Sequence, residues 1–523
     1  MVSAFSKTRS EEGFRVNATI HHRLTNSKRR IERRLDKTDL GDCGRPMFTA
    51  SNIHYEIAER TRGIVHGGIG AMHALVRKLG LVDAINEGLH VLKIHLPYYE
   101  SDHVLNFAYN PLCDGNHLED IELRRNDVNF LDALGARRIP DPTTAGDFCR
   151  RFTQADIDTL QTIFNKVRQR VWQQQPRAFF DVAIIDMDGS LVETTGQCKQ
   201  GMDIAYDGTW GYHPLVLSLA NTGEVLWLAN RPGNRPSHEG AAAAVDRIVG
   251  VCRDGGFPHV LLRGDTDFSQ SARLDGWNAA GNWFLFGFDA TPNLKALAED
   301  LPAAAWQPLP RPPAYTVQTQ PRQRPDNVKE AIVEAREFEN RRLCSEEVAE
   351  FYYRPTACRQ AYRIVVVRKN ISVAKGEKLL FDDVRYFFYI TNIVLLKPEQ
   401  IVWTANHRCN QENLLAQLHG AVSALKAPLN TLESNWAYMV MTALAWSLKA
   451  WWALLLPVGP GRWQQRHRQE QQWVLGLEFK SFVDAFVRLP CQIVRTSRKL
   501  VYRLLSWNPH QRIFWRLVTA LRC

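Results

Sequence analysis

"FFDVAIIDMDGSLVETTG", residues 179–196, begins with apolar and β-prone residues and runs into two aspartates one residue apart, Asp186 and Asp188. A short apolar run closed by turn residues reads as a buried strand. A carboxylate at the end of such a strand is costly unless a partner or a cation meets it. The stretches that follow supply the surroundings. "YHPLVLSLA" (212–220) and "GEVLWLAN" (223–230) read as a hairpin turning at Asn221-Thr222-Gly223. "SHEGAAAAVDRIVGVCRD" (237–254) reads as a helix with Ser237 as its N-cap. "HVLLRGD" (259–265) and "WFLFGFD" (283–289) read as two more buried strands.

Strand, two-stranded hairpin, helix, strand is the order of an RNase H-like core. The expected class is therefore α/β, a mixed sheet flanked by helices. In that topology the first and fourth strands lie side by side. Asp186 and Asp188 at the end of one then converge with Asp265 and Asp267 at the end of the other. Two unit charges about 4 Å apart repel by roughly 4 kcal/mol at an effective dielectric near 20. A divalent cation makes such a cluster tolerable. Oxygen ligands without His or Cys point to Mg²⁺ or Mn²⁺ rather than zinc.

A further acid comes from "VWTANHRCNQENLLAQLHGAVSAL", 402–425. Read as one helix, it buries Leu414, Leu418, Ala421, Val422 and Leu425 on one face. Arg408, Glu412 and His419 then form a stripe beside that face.

The chain has 523 residues, is 45% hydrophobic and carries a net charge of +10. That is enough for several domains with a sizeable core, and the basic surplus points to a polyanionic partner. Residues 461–523 hold 10 Arg and 2 Lys against 3 acids, and a second basic cluster is "SKRRIERR", 27–34. The ten cysteines include no C-x-x-C and read as reduced thiols of a cytosolic protein. No signal peptide is expected from the polar N-terminus. "WAYMVMTALAWSLKAWWALLLP", 436–457, is interrupted by Lys449 and reads as a buried helix rather than a membrane span. The expected organisation is a basic N-terminal arm (1–60), a helical region (61–178), a first core part (179–290), an inserted β-rich domain (291–400), a last core part (401–456) and a basic C-terminal tail (457–523). Within the insertion, "NVKEAIVEAREFENRR" (327–342) reads as a charged helix.

Four stretches in order, "DMDGS", "YHPLVLSLANTGEVLWLANRPGN", "LLRGDTDFS" and "RCNQENLLAQLHG", resemble the motifs of DDE transposases of bacterial insertion sequences, in particular the group 1 transposase DDE domain. The resemblance spans roughly residues 60–450. It implies that Asp188, Asp265 and Glu412 are the catalytic, metal-binding carboxylates and that Arg408 binds a phosphate near the cleaved end. His419 stands where the family has a phosphate-contacting Lys, Ala405 where it has Tyr, Asp267 where it has Gly and Gly264 where it has Ala; Gly189-Ser190 replaces a Thr pair. Two metal ions suit an in-line displacement at phosphorus. The resemblance also implies that the helical region 61–178 serves DNA binding or dimerisation. The implied partners are the element's terminal inverted repeats and target DNA, with a homodimer in the synaptic complex. The implied place is the bacterial cytoplasm, associated with the nucleoid when DNA is bound.

Two rival readings remain. One is a transposase-derived DNA-binding protein that no longer cuts. The other is a haloacid-dehalogenase-like phosphatase with Asp186 as nucleophile, although Ser269 stands where its metal motif needs a second Asp. Two residues are secondary candidates. Asp186 reads as a strand-end residue hydrogen-bonded to backbone, with a metal role as the alternative. Trp210 reads as loop packing, with stacking on an unpaired base as the alternative.

Overall fold

In the computed structural model of the chain, the described residues are 17–35, 50, 53–57, 61–95, 97–196, 198–311, 339–375, 378–496 and 499–521. One nine-stranded sheet organises the molecule. Its strands are β1 (Ala183–Gly189), β2 (Leu215–Leu219), β3 (Glu224–Ala229), β4 (Val260–Gly264), β5 (Trp283–Phe288), β6 (Gln307–Pro308), β7 (Glu339–Tyr353), β8 (Tyr362–Lys375) and β9 (Lys378–Thr391). The order across the sheet is β6-β7-β8-β9-β5-β4-β1-β2-β3. β1 pairs parallel with β4 and antiparallel with β2, and β4 pairs parallel with β5. The five strands β3-β2-β1-β4-β5 make the RNase H-like core expected from the strand order.

The β-rich insertion is continuous with this core. β9 pairs antiparallel with β5 from Leu285 to Phe288, and β8 and β7 extend the sheet outward. Most of the charged helix expected over 327–342 lies outside the described residues; its end, from Glu339, already belongs to β7.

Helices cover the sheet. They include α2 (Gln154–Trp172), α3 (Ala241–Asp254), α4 (Pro398–Asn406), α5 (Cys409–His419) and α6 (Leu432–Leu454), with α1 (Glu100–Leu112) packed on α6. α2 starts where Thr153 caps it, its hydroxyl accepting from Asp156 N. α3 starts later than expected: Gly240, at φ 74°, holds the cap position, not Ser237. α2 and α6 pack on β3, while α3 packs against β2, β3 and β4.

α6 is the apolar segment that tempted a membrane reading. Every residue from Ser434 to Leu454 is buried, which marks a central core helix. No helix among the described residues is long and apolar enough to cross a membrane. Lys449 is accommodated by donating to Leu475 O at 2.9 Å and lying 4.0 Å from the Trp446 ring; burial pushes its ammonium down to about 7.

One buried carboxylate ties three elements together. Glu224 of β3 accepts from Arg168 Nε (2.9 Å) and Trp172 Nε1 (3.0 Å) of α2, from Trp451 Nε1 (2.7 Å) of α6 and from the Thr222 hydroxyl (2.7 Å). Removing one partner of such a pair strands a buried charge, at about 3–5 kcal/mol.

The segment expected to be a C-terminal tail is folded. Cys491–Arg495 pairs with Gly63–Ile64 on one side and Leu500–Leu504 on the other. Helix Gln511–Leu521 packs on helix Ile69–Lys78. Its aromatic residues explain this: Phe479, Phe482, Phe486 and Phe514 are buried, so the charges decorate a packed unit. The N-terminal arm, in its described part, contains an exposed basic helix, Ala18–Leu35.

Candidate active site

β1 is a central strand covered on both faces, so its residues read as one apolar run. Side chains alternate along it, and Asp186 and Asp188 therefore share a face. Asp265 follows the end of β4 and opens a short 3₁₀ turn, its carboxylate accepting from Asp267 N at 3.0 Å. Glu412 lies in the first turn of α5. Its neighbour Gln411 fixes that turn to β2, donating to Val216 O at 3.2 Å and accepting from the Ser218 hydroxyl.

The three acids gather around one cation. Arg408 Nη1 stands 3.1 Å from Asp188 Oδ2 and 4.0 Å from Asp265 Oδ2, and Nη2 is 3.8 Å from Glu412 Oε1. The side chains run from sheltered to open: Asp188 is 15% exposed, Glu412 63%. Burial pushes the Asp188 carboxyl up to about 6; Arg408 opposes the rise, while Asp265 and Glu412 add to it. Burial also raises Asp265, again against Arg408, with Asp267 adding to the rise. Among the described residues no three His, Cys, Asp or Glu side chains form a ready-made metal cluster. The acids are spaced around a guanidinium instead.

The turn after Asp188 is shaped by the second motif. A Cβ on Gly189 would lie 2.5 Å from His213 Nε2, so only glycine admits that imidazole. His213 Nδ1 donates to Arg235 O at 2.8 Å. Arg231 holds the Arg-Pro-Gly-Asn loop by donating to His213 O (2.8 Å), Ser237 O (2.9 Å) and Glu239 O (2.7 Å). Ser190 is within 2.7 Å of His419 Nε2 at the far end of α5. Burial lowers the His419 pKa, opposed by a hydrogen bond with the Leu425 backbone.

The family model described as Transposase DDE domain group 1 matches residues 64–523. The chain belongs to that family. Among solved structures, it is similar to the piggyBac transposase in a cryo-EM synaptic complex with hairpin DNA, with 10% identity and a TM-score of 0.34 over 82% of this chain and 84% of that one. A comparison with curated proteins gave no match.

Several expectations for this DDE-family chain differ from its structure. Asp186 is held by a side chain, not by backbone: Arg263 Nε and Nη2 donate to its two oxygens, each at 2.6 Å. Burial raises the Asp186 carboxyl, opposed by the hydrogen bonds and charge of the Arg263 guanidinium. It is 1% exposed and both its oxygens are engaged by Arg263. Trp210 does not pack into a loop. It lies on a small sheet between β1 and β2, opposite Ile204, and is 50% exposed.

The expected single helix over 402–425 is two helices, α4 and α5, with a tight junction at His407–Arg408 where i→i+3 bonds from Arg408 N and Asn410 N interrupt the helical ladder. α5 ends at His419, before Gly420, so Ala421, Val422 and Leu425 pack from the segment that follows. Arg408 is thereby at the N-terminus of α5, next to the acids, and the Arg408–Glu412–His419 stripe is split. Arg408 and Glu412 face the carboxylates, and His419 faces Ser190. The sequence reading missed Arg263 and Gln411. The signal for Arg263 was present: a buried Asp186 needs a cation, and Arg263 precedes Asp265 by the same two residues that separate Asp186 from Asp188.

Proposed function

We propose that this chain is an active DNA transposase of an insertion sequence, cutting DNA at the element's ends and joining the freed ends to target DNA. Asp188, Asp265 and Glu412 are its catalytic carboxylates and hold two Mg²⁺ or Mn²⁺ ions. The observation that carries this reading is the Arg408 guanidinium within 4.0 Å of an oxygen of each of the three acids. A positive group already sits where a cation would. The donor set, carboxylate oxygen alone, suits a hard divalent ion. When bound, such ions activate the attacking oxygen and stabilise the leaving oxygen of an in-line displacement.

The chain's own residues do the rest. Gln411 fixes the first turn of α5 on β2, and Gly189 and His213 fix the turn after Asp188. Arg408, once its carboxylates are otherwise neutralised, offers a planar fork to a DNA phosphate. His419 would contact a phosphate only by giving up Ser190. The exposed helix Ala18–Leu35 carries Arg23, Lys28, Arg29, Arg30, Arg33 and Arg34 against Glu32, a surface for duplex phosphates. Two copies, one per element end, would form the synaptic complex.

The test is incubation of the protein with DNA bearing the element's ends, with Mg²⁺ or Mn²⁺ and with a chelator. Metal-dependent nicking at the end sequence supports the proposal. Tight end binding with no cleavage in either metal would leave the inactive DNA-binding relative as the better account.

A further inference from the structure

Two residues before each strand-borne acid lies a residue that touches no part of the proposed metal site. Asp186 precedes Asp188 on β1, and Arg263 precedes Asp265 on β4. The two are register partners across the parallel β1–β4 pair. Both are almost fully buried. Arg263 spends Nε and Nη2 on the two Asp186 oxygens, and its remaining arm, Nη1, donates to Thr404 O at 2.8 Å. Thr404 lies in the last turn of α4, four residues before Arg408. One side chain therefore links the three segments that carry Asp188, Asp265, and the Arg408–Glu412 pair.

We propose that the Asp186–Arg263 pair is a positioning clamp for the catalytic centre, setting the α4–α5 junction against the ends of β1 and β4.

A buried ion pair is weak evidence for stability, since apolar replacement is often neutral or better. Its geometry is another matter. A guanidinium is planar, and its donors point in fixed directions. Engaging both Asp186 oxygens fixes the plane of the guanidinium, and Nη1 then donates along a set direction to Thr404 O. The helix junction is thereby placed by β1 and β4 together. At the junction His407 N still donates to Trp403 O, but Arg408 N, Asn410 N and Gln411 N donate to Ala405 O, His407 O and Arg408 O, so i→i+3 bonds interrupt the ladder that would stiffen a continuous helix. Lysine cannot do the same work, because a single ammonium cannot make the parallel pair to Asp186 and also reach Thr404 in a fixed plane.

The inference rests on the metal-site reading for its functional consequence but not for its structural one, and the experiment keeps the two apart. The variants are Arg263→Lys and the apolar pair Asp186→Leu/Arg263→Met. The first readout is hydrogen–deuterium exchange, which needs no metal or DNA. Amides of residues 405–412 should exchange at least about 10-fold faster in either variant, with α6 unchanged as an internal reference. The second is Mn²⁺ titration of the full chain. Affinity should fall about 10- to 100-fold, the range typical of groups that orient ligands without touching the metal. Cleavage lost by Arg263→Lys should return at high Mn²⁺ concentration, whereas that lost by Asp265→Asn should not. Unchanged exchange at 405–412 in a folded Arg263→Lys protein overturns the clamp whatever the protein's function. If the apolar pair fails to fold, Arg263→Lys alone decides. Faster exchange in a chain whose wild type binds no Mn²⁺ upholds the clamp and overturns the metal site.

Discussion

Arg408 and Asp188 form the tightest contact within the acidic cluster, Nη1 to Oδ2 at 3.1 Å. One residue joins the α5 N-terminus and the other the end of β1, 220 positions apart in the chain. A positive side chain in the middle of three carboxylates stabilises them as a cation would. It also competes with one.

That competition gives a prediction of definite sign. Arg408→Gln should bind Mn²⁺ more tightly than wild type, by roughly 3- to 30-fold, because one unit of opposing charge is gone at close range. The same variant should cut DNA at least about 10-fold more slowly, having lost its phosphate contact. Titration calorimetry and a cleavage time course read the two effects separately. Weaker Mn²⁺ binding in Arg408→Gln would mean that the arginine builds the site instead of competing for it.

Asp188 makes the metal-free protein pH-sensitive. Its carboxyl is pushed up to about 6, above the ordinary 3.8. The folded state therefore binds the proton more tightly than the unfolded one, and the carboxyl's contribution is most favourable below pH 3.8. It is lost as pH rises through 6. Above that pH the ionised group costs up to about 3 kcal/mol. Asp188→Asn should raise the melting temperature of the metal-free protein at pH 7.5 by a few degrees, and the gain should vanish as pH falls from 6 towards 4. Adding Mn²⁺ should stabilise the wild type and not the variant. A lower melting temperature for Asp188→Asn at pH 7.5 without metal would contradict this.

His419 offers a choice between two roles. The structure engages its ring with Ser190 and the Leu425 backbone, and burial disfavours its charged form. A neutral role predicts that cleavage falls on the acid side as the imidazole protonates, and that His419→Gln shifts this limb to lower pH while keeping most activity above pH 7. A phosphate-binding cation predicts the reverse, an alkaline limb that His419→Lys removes. The expected result is the acid-side effect. An alkaline limb present in wild type and absent in His419→Lys would restore the cationic role.

The basic surfaces are expected to add sequence-independent DNA affinity. Because the described residues of 457–521 are packed into the body, truncation would remove part of the fold; neutralising charges is the clean test. Lys28 of the N-terminal helix lines a cleft with Arg466 and Arg512 from the C-terminal unit. Each phosphate contact contributes about −0.9 to the log–log salt slope on B-DNA. Replacing Arg29, Arg30, Arg33 and Arg34 by Gln should flatten the slope by about 2 to 4. An unchanged slope would place these charges against solvent.

The sheet core was legible because its signals are local. β1, β4 and the β2–β3 hairpin are short apolar runs bounded by turn residues, and strand order alone made β1 and β4 neighbours. Asp188 and Asp265 stood out as acids at strand ends. What stayed hidden depends on distant partners. Asp186 and Arg263 are 77 positions apart, so an isolated reading of either finds only a strand-end charge. The α4–α5 break was masked because the apolar spacing of Leu414, Leu418, Val422 and Leu425 continues through it, although the last two pack from beyond the helix. The C-terminal unit looked like a tail because its arginines dominate its composition. Its strand Cys491–Arg495 finds its partner at Gly63–Ile64, at the other end of the chain. At Ser237 a good capping residue lost to Gly240, whose left-handed backbone sets the start of α3.

The central claim is that Asp188, Asp265 and Glu412 act as one metal-holding set on DNA. The most direct test is Mg²⁺- and Mn²⁺-dependent cleavage of end-bearing DNA by Asp265→Asn, measured beside its binding to the same DNA. The account predicts that cleavage is abolished in both metals while end binding stays within about 3-fold of wild type, since removing one ligand of a two-metal site removes its chemistry and leaves the phosphate contacts. Near-normal cleavage by Asp265→Asn would contradict it.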